Sequence, residues 1–212
     1  VAGLLRIYEQ GCANQSVRFT VMTGNTIQYL IDPSCFCLDE AETYGDILII
    51  TGDLKTSLHC DDIIGWATEN FSHTYIVMGN KDYYDGTDVA DTLLAYKVSV
   101  LPNVSFINNV SVLIADIEIF FTTLWKPYIE HDISNMLSDR EDFDYIRCNG
   151  HLLTLEMVGQ LNEVCKQWLL SSVARSRSGR RVVVTHHAID DLQLYHTLIS
   201  MGVDEIVTGD GP

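Results

Sequence analysis

Residues 46–54, DILIITGDL, limit the architecture more than any other part of the chain. Four consecutive aliphatic residues, Ile47 to Ile50, stand between Gly45 and Gly52, a run too short for a helix and apolar on both faces. Such a run reads as a strand covered on both sides, which belongs in a parallel sheet flanked by helices. In open α/β sheets ligands collect beyond the carboxyl ends of the strands, and Asp53 stands at that place. Taken alone, the segment explains Asp53 equally well as a turn carboxylate in a Gly-Asp loop.

The same pattern recurs along the chain. Residues 17–22, VRFTVM, alternate and predict the first strand of the core, ending in a polar loop at 23–26. Ile63, Ile64, Trp66, Ala67 and Phe71 predict an amphipathic helix over 61–70. The run TYIVM at 74–78 is a second buried strand, and it breaks into Gly79-Asn80-Lys81-Asp82. Two successive strand units thus end on glycine followed by a carboxylate or amide.

Beyond them, a helix is expected over 87–98 and a meander of strands over 104–107, 111–115 and 117–124. Residues 125–142 are polar and aromatic, with a helix expected over 129–137 and a length suited to a lid. Thr154 is an N-cap for a helix over 155–174, whose Leu155, Val158, Leu161, Val164, Cys165, Trp168 and Leu169 recur at helical spacing and predict a core stripe. A strand at 181–184 ends in Thr185-His186-His187, a helix covers 190–201, and a last strand at 205–207 runs into Thr208-Gly209-Asp210-Gly211-Pro212.

Composition narrows the function classes. At 212 residues the chain suits one large α/β domain, 1–212. A net charge of -16, from 29 acidic against 13 basic residues, argues against nucleic acid as a partner. The one basic cluster, 175–181, reads as a solvated loop. No run of about 18 apolar residues and no signal-peptide pattern is found, so no membrane partner and a cytoplasmic location are expected. Six cysteines in a domain with an ample core predict reduced thiols. The grouping of Cys35 and Cys37 with His59 and Cys60 matches no common zinc spacing.

The strand ends carry Gly24, Asp53, Asn80, His186 and Asp210, and all five are expected along one edge of the sheet. Asp, Asn and His are ligands for a hard or borderline divalent ion. A single buried histidine is commonly just a satisfied core residue; its place in this series makes His186 a site candidate.

These residues resemble the signature of the calcineurin-like metallophosphoesterases: D-x-H, then G-D, then G-N-H-[DE], then a histidine, then G-H-x-H, each at a strand end. GDL at 52–54, GNKD at 79–82 and VVVTHHAI at 182–189 carry the likeness, with TTLW at 122–125 and SDREDFDYI at 138–146. The resemblance implies an α/β fold, a metallophosphoesterase-like sandwich of two mixed β-sheets flanked by α-helices, without the family's C-terminal strands.

It also exposes departures. The family's first Asp and His would fall on Gly24 and Thr26, its GNH histidine on Lys81, and its G-H-x-H on residues 209–212. By that mapping one metal site keeps only Asp53, having lost Gly24, Thr26 and Pro212. The other keeps Asp53, Asn80 and His186, with Asp210 replacing a histidine nitrogen. One Mn²⁺, Mg²⁺, Zn²⁺ or Ca²⁺ is then conceivable, or none, with Lys81 and His187 as the catalytic candidates. Lys81 is alternatively a replaced residue paired with Asp82 or Asp85. The expectation is a catalytically impaired pseudoenzyme serving as a binding or structural subunit, with a protein partner. A one-metal hydrolase of phosphomonoesters or phosphodiesters is the enzyme alternative. A phosphate-ester or nucleotide binder without turnover is the third.

Overall fold

A computed structural model of the chain describes residues 17–21, 26–127 and 140–209. Gly24, Asp210, Pro212 and the helix expected over 129–137 lie outside the described residues. The chain is mixed α/β with two mixed sheets and helices. The first sheet holds β1 (Val17–Val21), β2 (Thr26–Leu30), β3 (Ile47–Ile50), β4 (His73–Val77), β5 (Tyr96–Leu101) and β6 (Val104–Asn108), in the order β1-β2-β3-β4-β6-β5. Strands β2, β3, β4 and β6 run parallel, and both edges, β1 and β5, are antiparallel.

The chain then enters β7 (Val110–Ile114) and β8 (Ile117–Thr122), passes a hairpin of β9 (Arg147–Cys148) and β10 (His151–Leu152), and returns as β11 (Arg180–Thr185) and β12 (Glu205–Thr208). The second sheet has the order β12-β11-β8-β7, parallel except for β7.

Period-two alternation decides how the sheets stack. Ile47 and Ile49, with Ile27, Tyr29 and Val77, form one buried cluster with Ile119, Phe121, Val182, Val184 and Val207 of the second sheet. Leu48, Ile50, Phe120 and Val183 point the opposite way, into the core that the helices cover. Each fully buried aliphatic contributes roughly 1.5–3 kcal/mol, which is why runs such as ILII and VVV can only be internal strands.

Helix α1 (Cys60–Asn70) buries Ile63, Trp66 and Ala67 and stops where Phe71 turns extended. A one-turn α2 (Val89–Thr92) and α3 (Arg140–Tyr145) precede the long α4 (Leu155–Arg175), and α5 (Leu192–Ser200) follows. The Thr154 hydroxyl caps α4 by accepting from the Met157 N–H at 3.2 Å. Among the described residues, no helix is long and apolar enough to cross a membrane.

Four expectations are corrected. The helix over 87–98 shrinks to α2, because Ala95 takes a positive φ of 51° and YKVSVL then pairs with β6 as an edge strand. Strands 104–107 and 111–115 form no meander: Asn109, at φ 49°, turns the chain from one sheet into the other. Arg180 belongs to β11 rather than a loop, and the guanidinium of Arg181, expected there as the first strand residue, donates to the Met201 carbonyl at 2.8 Å and the Ser176 carbonyl at 3.3 Å.

The fourth bears on the site. Strand β1 is an antiparallel edge, so its carboxyl end opens away from the carboxyl ends of β3 and β4. Thr26 begins β2 at that far edge, where its N–H donates to Asp46 at 2.9 Å, and it cannot occupy a ligand position beside Asp53.

Candidate functional site

The carboxyl ends of β2, β3, β4 and β11 converge. Strand β3 leaves the sheet through Gly52 at φ 113° and Asp53 at φ 59°, a left-handed turn that aims the carboxylate over the strand ends. A Cβ on Gly52 would fall on the His186 imidazole and lie 2.9 Å from the Gly79 Cα. One on Gly79 would fall on the Asp53 carboxylate and lie 2.8 Å from the His186 Cε1. Both glycines are therefore needed for the three strand ends to approach this closely.

Asp82 fastens these turns. Its fully buried carboxylate accepts from the N–H groups of Gly79 at 2.8 Å, Asp53 at 3.0 Å and Lys55 at 2.7 Å. Burial pushes this carboxyl up to about 6, against the pull of the backbone donors.

At the centre, His186 is 2% exposed. Its Nδ1 lies 2.8 Å from the Thr51 carbonyl, its Nε2 2.8 Å from Asn80 Oδ1 and 3.5 Å from Asp53 Oδ1. The Asn80 amide is oriented by Asp142 of α3, whose two oxygens accept its Nδ2 at 2.9 and 3.0 Å; the Tyr84 hydroxyl donates to the same carboxylate at 2.6 Å. Thr51 takes the proton on Nδ1, so the Nε2 lone pair of a neutral ring faces the Asn80 carbonyl oxygen, which is also an acceptor.

Among the described residues Lys81 brings a positive charge to Asp53. Its Nζ lies 2.9 Å from Asp53 Oδ2, and its backbone N–H donates to Asp53 Oδ1 at 3.1 Å. Of its two alternative partners, Asp82 accepts from backbone donors and Asp85 pairs with Lys55 at 2.8 Å.

The sequence reading missed Asp32. It follows β2, whose end is tied beside β3 by the Thr51 hydroxyl donating to the Ile31 carbonyl at 2.9 Å. Asp32 caps the turn Pro33–Cys35, accepting from the Ser34 N–H at 2.9 Å and the Ser34 hydroxyl at 2.6 Å. Burial raises this carboxyl, but the Ser34 and Cys35 donors and the Lys81 charge outweigh it and hold it below the usual range. The signal was present: the run IQYLI at 27–31, apolar but for Gln28, stops at a carboxylate, as the run before Asp53 does.

His187 is buried beside the centre. Its ring stacks edge-on against His186 at 4.6 Å between centroids and lies 6.2 Å from Trp125. Its carbonyl accepts from the Thr185 hydroxyl at 2.7 Å. Asp53, Asn80, Lys81, His186 and His187 are thus brought together, Thr26 is not, and Asp210 lies outside the described residues.

Among the described residues Cys35, Cys37 and Cys60 form no disulfide with one another, and no group of three or more His, Cys, Asp or Glu is arranged to hold a metal. With an amide oxygen counted as well, Asp53 Oδ1, Asn80 Oδ1 and His186 Nε2 form a mixed oxygen and nitrogen set that fits one borderline divalent ion. A second ion does not fit as readily, because the other Asp53 oxygen is engaged by Lys81. Set against known proteins, the chain matches no family model, no curated protein and no solved structure.

Proposed function

We propose that this is a metallophosphoesterase-like protein that binds a phosphate ester, or a protein partner, through a site no longer equipped for two-metal hydrolysis. The order of the strand-end residues supports the likeness. With β2 as the first parallel strand, the family's leading D-x-H corresponds to Asp32 and Ser34 rather than Gly24 and Thr26. The leading aspartate is then kept and its histidine replaced by serine.

The observation that carries the loss of chemistry is the 2.9 Å contact between Lys81 Nζ and Asp53 Oδ2. In a two-metal site a bridging carboxylate gives an oxygen to each ion, and the pair of ions clamps the attacking and leaving groups. Here an ammonium holds one of those oxygens. Asp53, Asn80 and His186 would hold a single ion, which when bound supplies Lewis-acid polarisation of a phosphoryl oxygen. His186, oriented by Thr51, and Asn80, oriented by Asp142, fix where that group would sit.

The test is hydrolysis of nitrophenyl phosphate mono- and diesters with Mn²⁺, run beside thermal shifts with inorganic phosphate and nucleotides. Shifts without turnover are expected. Hydrolysis that is abolished by Asp53→Ala would overturn the impaired-enzyme reading. It would select instead a one-metal phosphohydrolase, the reading favoured by the convergence of Asp53, Asn80 and His186.

A further inference from the structure

We infer that Lys81 and a divalent cation are alternative occupants of the Asp53 carboxylate, the lysine serving as a tethered cation that an incoming ion must displace. This rests on the proposed reading of Asp53, Asn80 and His186 as a one-ion site. Asp53 has a side chain only 16% exposed, so it has lost most of the water that would solvate its charge. A carboxylate in that state requires a cation, and among the described residues the Lys81 ammonium contacts it at 2.9 Å.

The geometry makes the lysine removable. Its side chain is 50% exposed, so Nζ can leave toward solvent without repacking the core. The backbone N–H of Lys81 keeps its own 3.1 Å bond to Asp53 Oδ1, so the turn survives the departure of the side chain. The Lys81 charge also acts on Asp32, which gives the released ammonium a second carboxylate nearby. A divalent ion drawn to Asp53 Oδ1, Asn80 Oδ1 and His186 Nε2 would meet that ammonium on the same carboxylate, and two like charges so close repel. Lys81 therefore lowers the affinity of the site for cations while stabilising it without one.

Calorimetric titration of the full chain with MnCl₂ tests this, using Lys81→Met, Lys81→Gln, Lys81→Arg, Asp53→Ala and Lys55→Met. Removing the ammonium with either neutral variant should tighten Mn²⁺ about tenfold, which corresponds to roughly 1.4 kcal/mol. Lys81→Arg should stay near wild type, since a guanidinium can also pair with Asp53. Lys55→Met, which removes a charge paired with Asp85 instead, should change affinity by less than about twofold. Equal Mn²⁺ affinity in wild type and both neutral variants, abolished by Asp53→Ala, would overturn the lysine's role and leave the one-ion site standing. Tightening in Lys81→Arg equal to that in Lys81→Met would overturn competition by charge. Absence of Mn²⁺ binding in all variants would overturn this inference and the one-ion site together.

Discussion

Asp82 shows how one buried carboxylate can fix a site it does not itself line. It satisfies backbone donors from the turns after both β3 and β4, so its removal orphans three N–H groups at once. Each orphaned buried donor costs about 1–3 kcal/mol, and Asp82→Ala should destabilise the fold by about 3 kcal/mol or more in urea unfolding. Its pH dependence has a definite sign. Burial raises the folded carboxyl from 3.8 to about 6, so the native form holds the proton more tightly than the unfolded chain does. The stability from this group is full below the unfolded value and is lost as pH rises through about 6. The advantage of wild type over Asp82→Asn in urea melts should therefore shrink between pH 4 and 7. Growth of that advantage with pH would contradict this assignment. At this scale Asp53, Asn80 and His186 were legible because each follows a short apolar run, and chemistry concentrates where such runs stop. Asp142 was not, because it reaches Asn80 across 62 residues of sequence.

Elements buried on both sides were the readable ones. Strands β3, β4, β8 and β11 are built around aliphatic or aromatic runs that are buried, and their ends fell close to expectation. Edge strands were harder. Strand β5 is exposed along most of its length, so neither of its faces carries a burial signal, and its residues were absorbed into a neighbouring helical pattern. Helix α4 was placed within a residue of its ends, but its buried face is Val158, Leu161, Cys165, Leu169 and Val173, with Leu155 exposed at 44% and Trp168 only half-buried. Leu169→Ala should accordingly cost about 2–5 kcal/mol, and Trp168→Ala clearly less, by thermal or urea unfolding. A larger loss at Trp168 would mean that the helix presents a different face to the core.

The stacking of two sheets is what makes a site from residues far apart in the chain. The His186 ring reaches the Thr51 carbonyl across 135 residues, an approach possible only because the carboxyl ends of β3 and β11 open on the same side of the stack. Periodicity predicted strands; it carried no information about which strands would be antiparallel edges. That gap put the first site position on the loop after β1, although the parallel strand beside β3 is β2, which Asp32 follows. Among the described residues the Lys81 ammonium lies against Asp53 and its charge also acts on Asp32. On the proposed reading, Lys81 holds one side of Asp53 and leaves room for a single ion. Its most direct test is elemental analysis of the protein after equilibration with Mn²⁺ or Zn²⁺ and dialysis. No more than one ion per chain is expected, lost in Asp53→Ala; two ions per chain would show that Lys81 does not keep a second ion from Asp53.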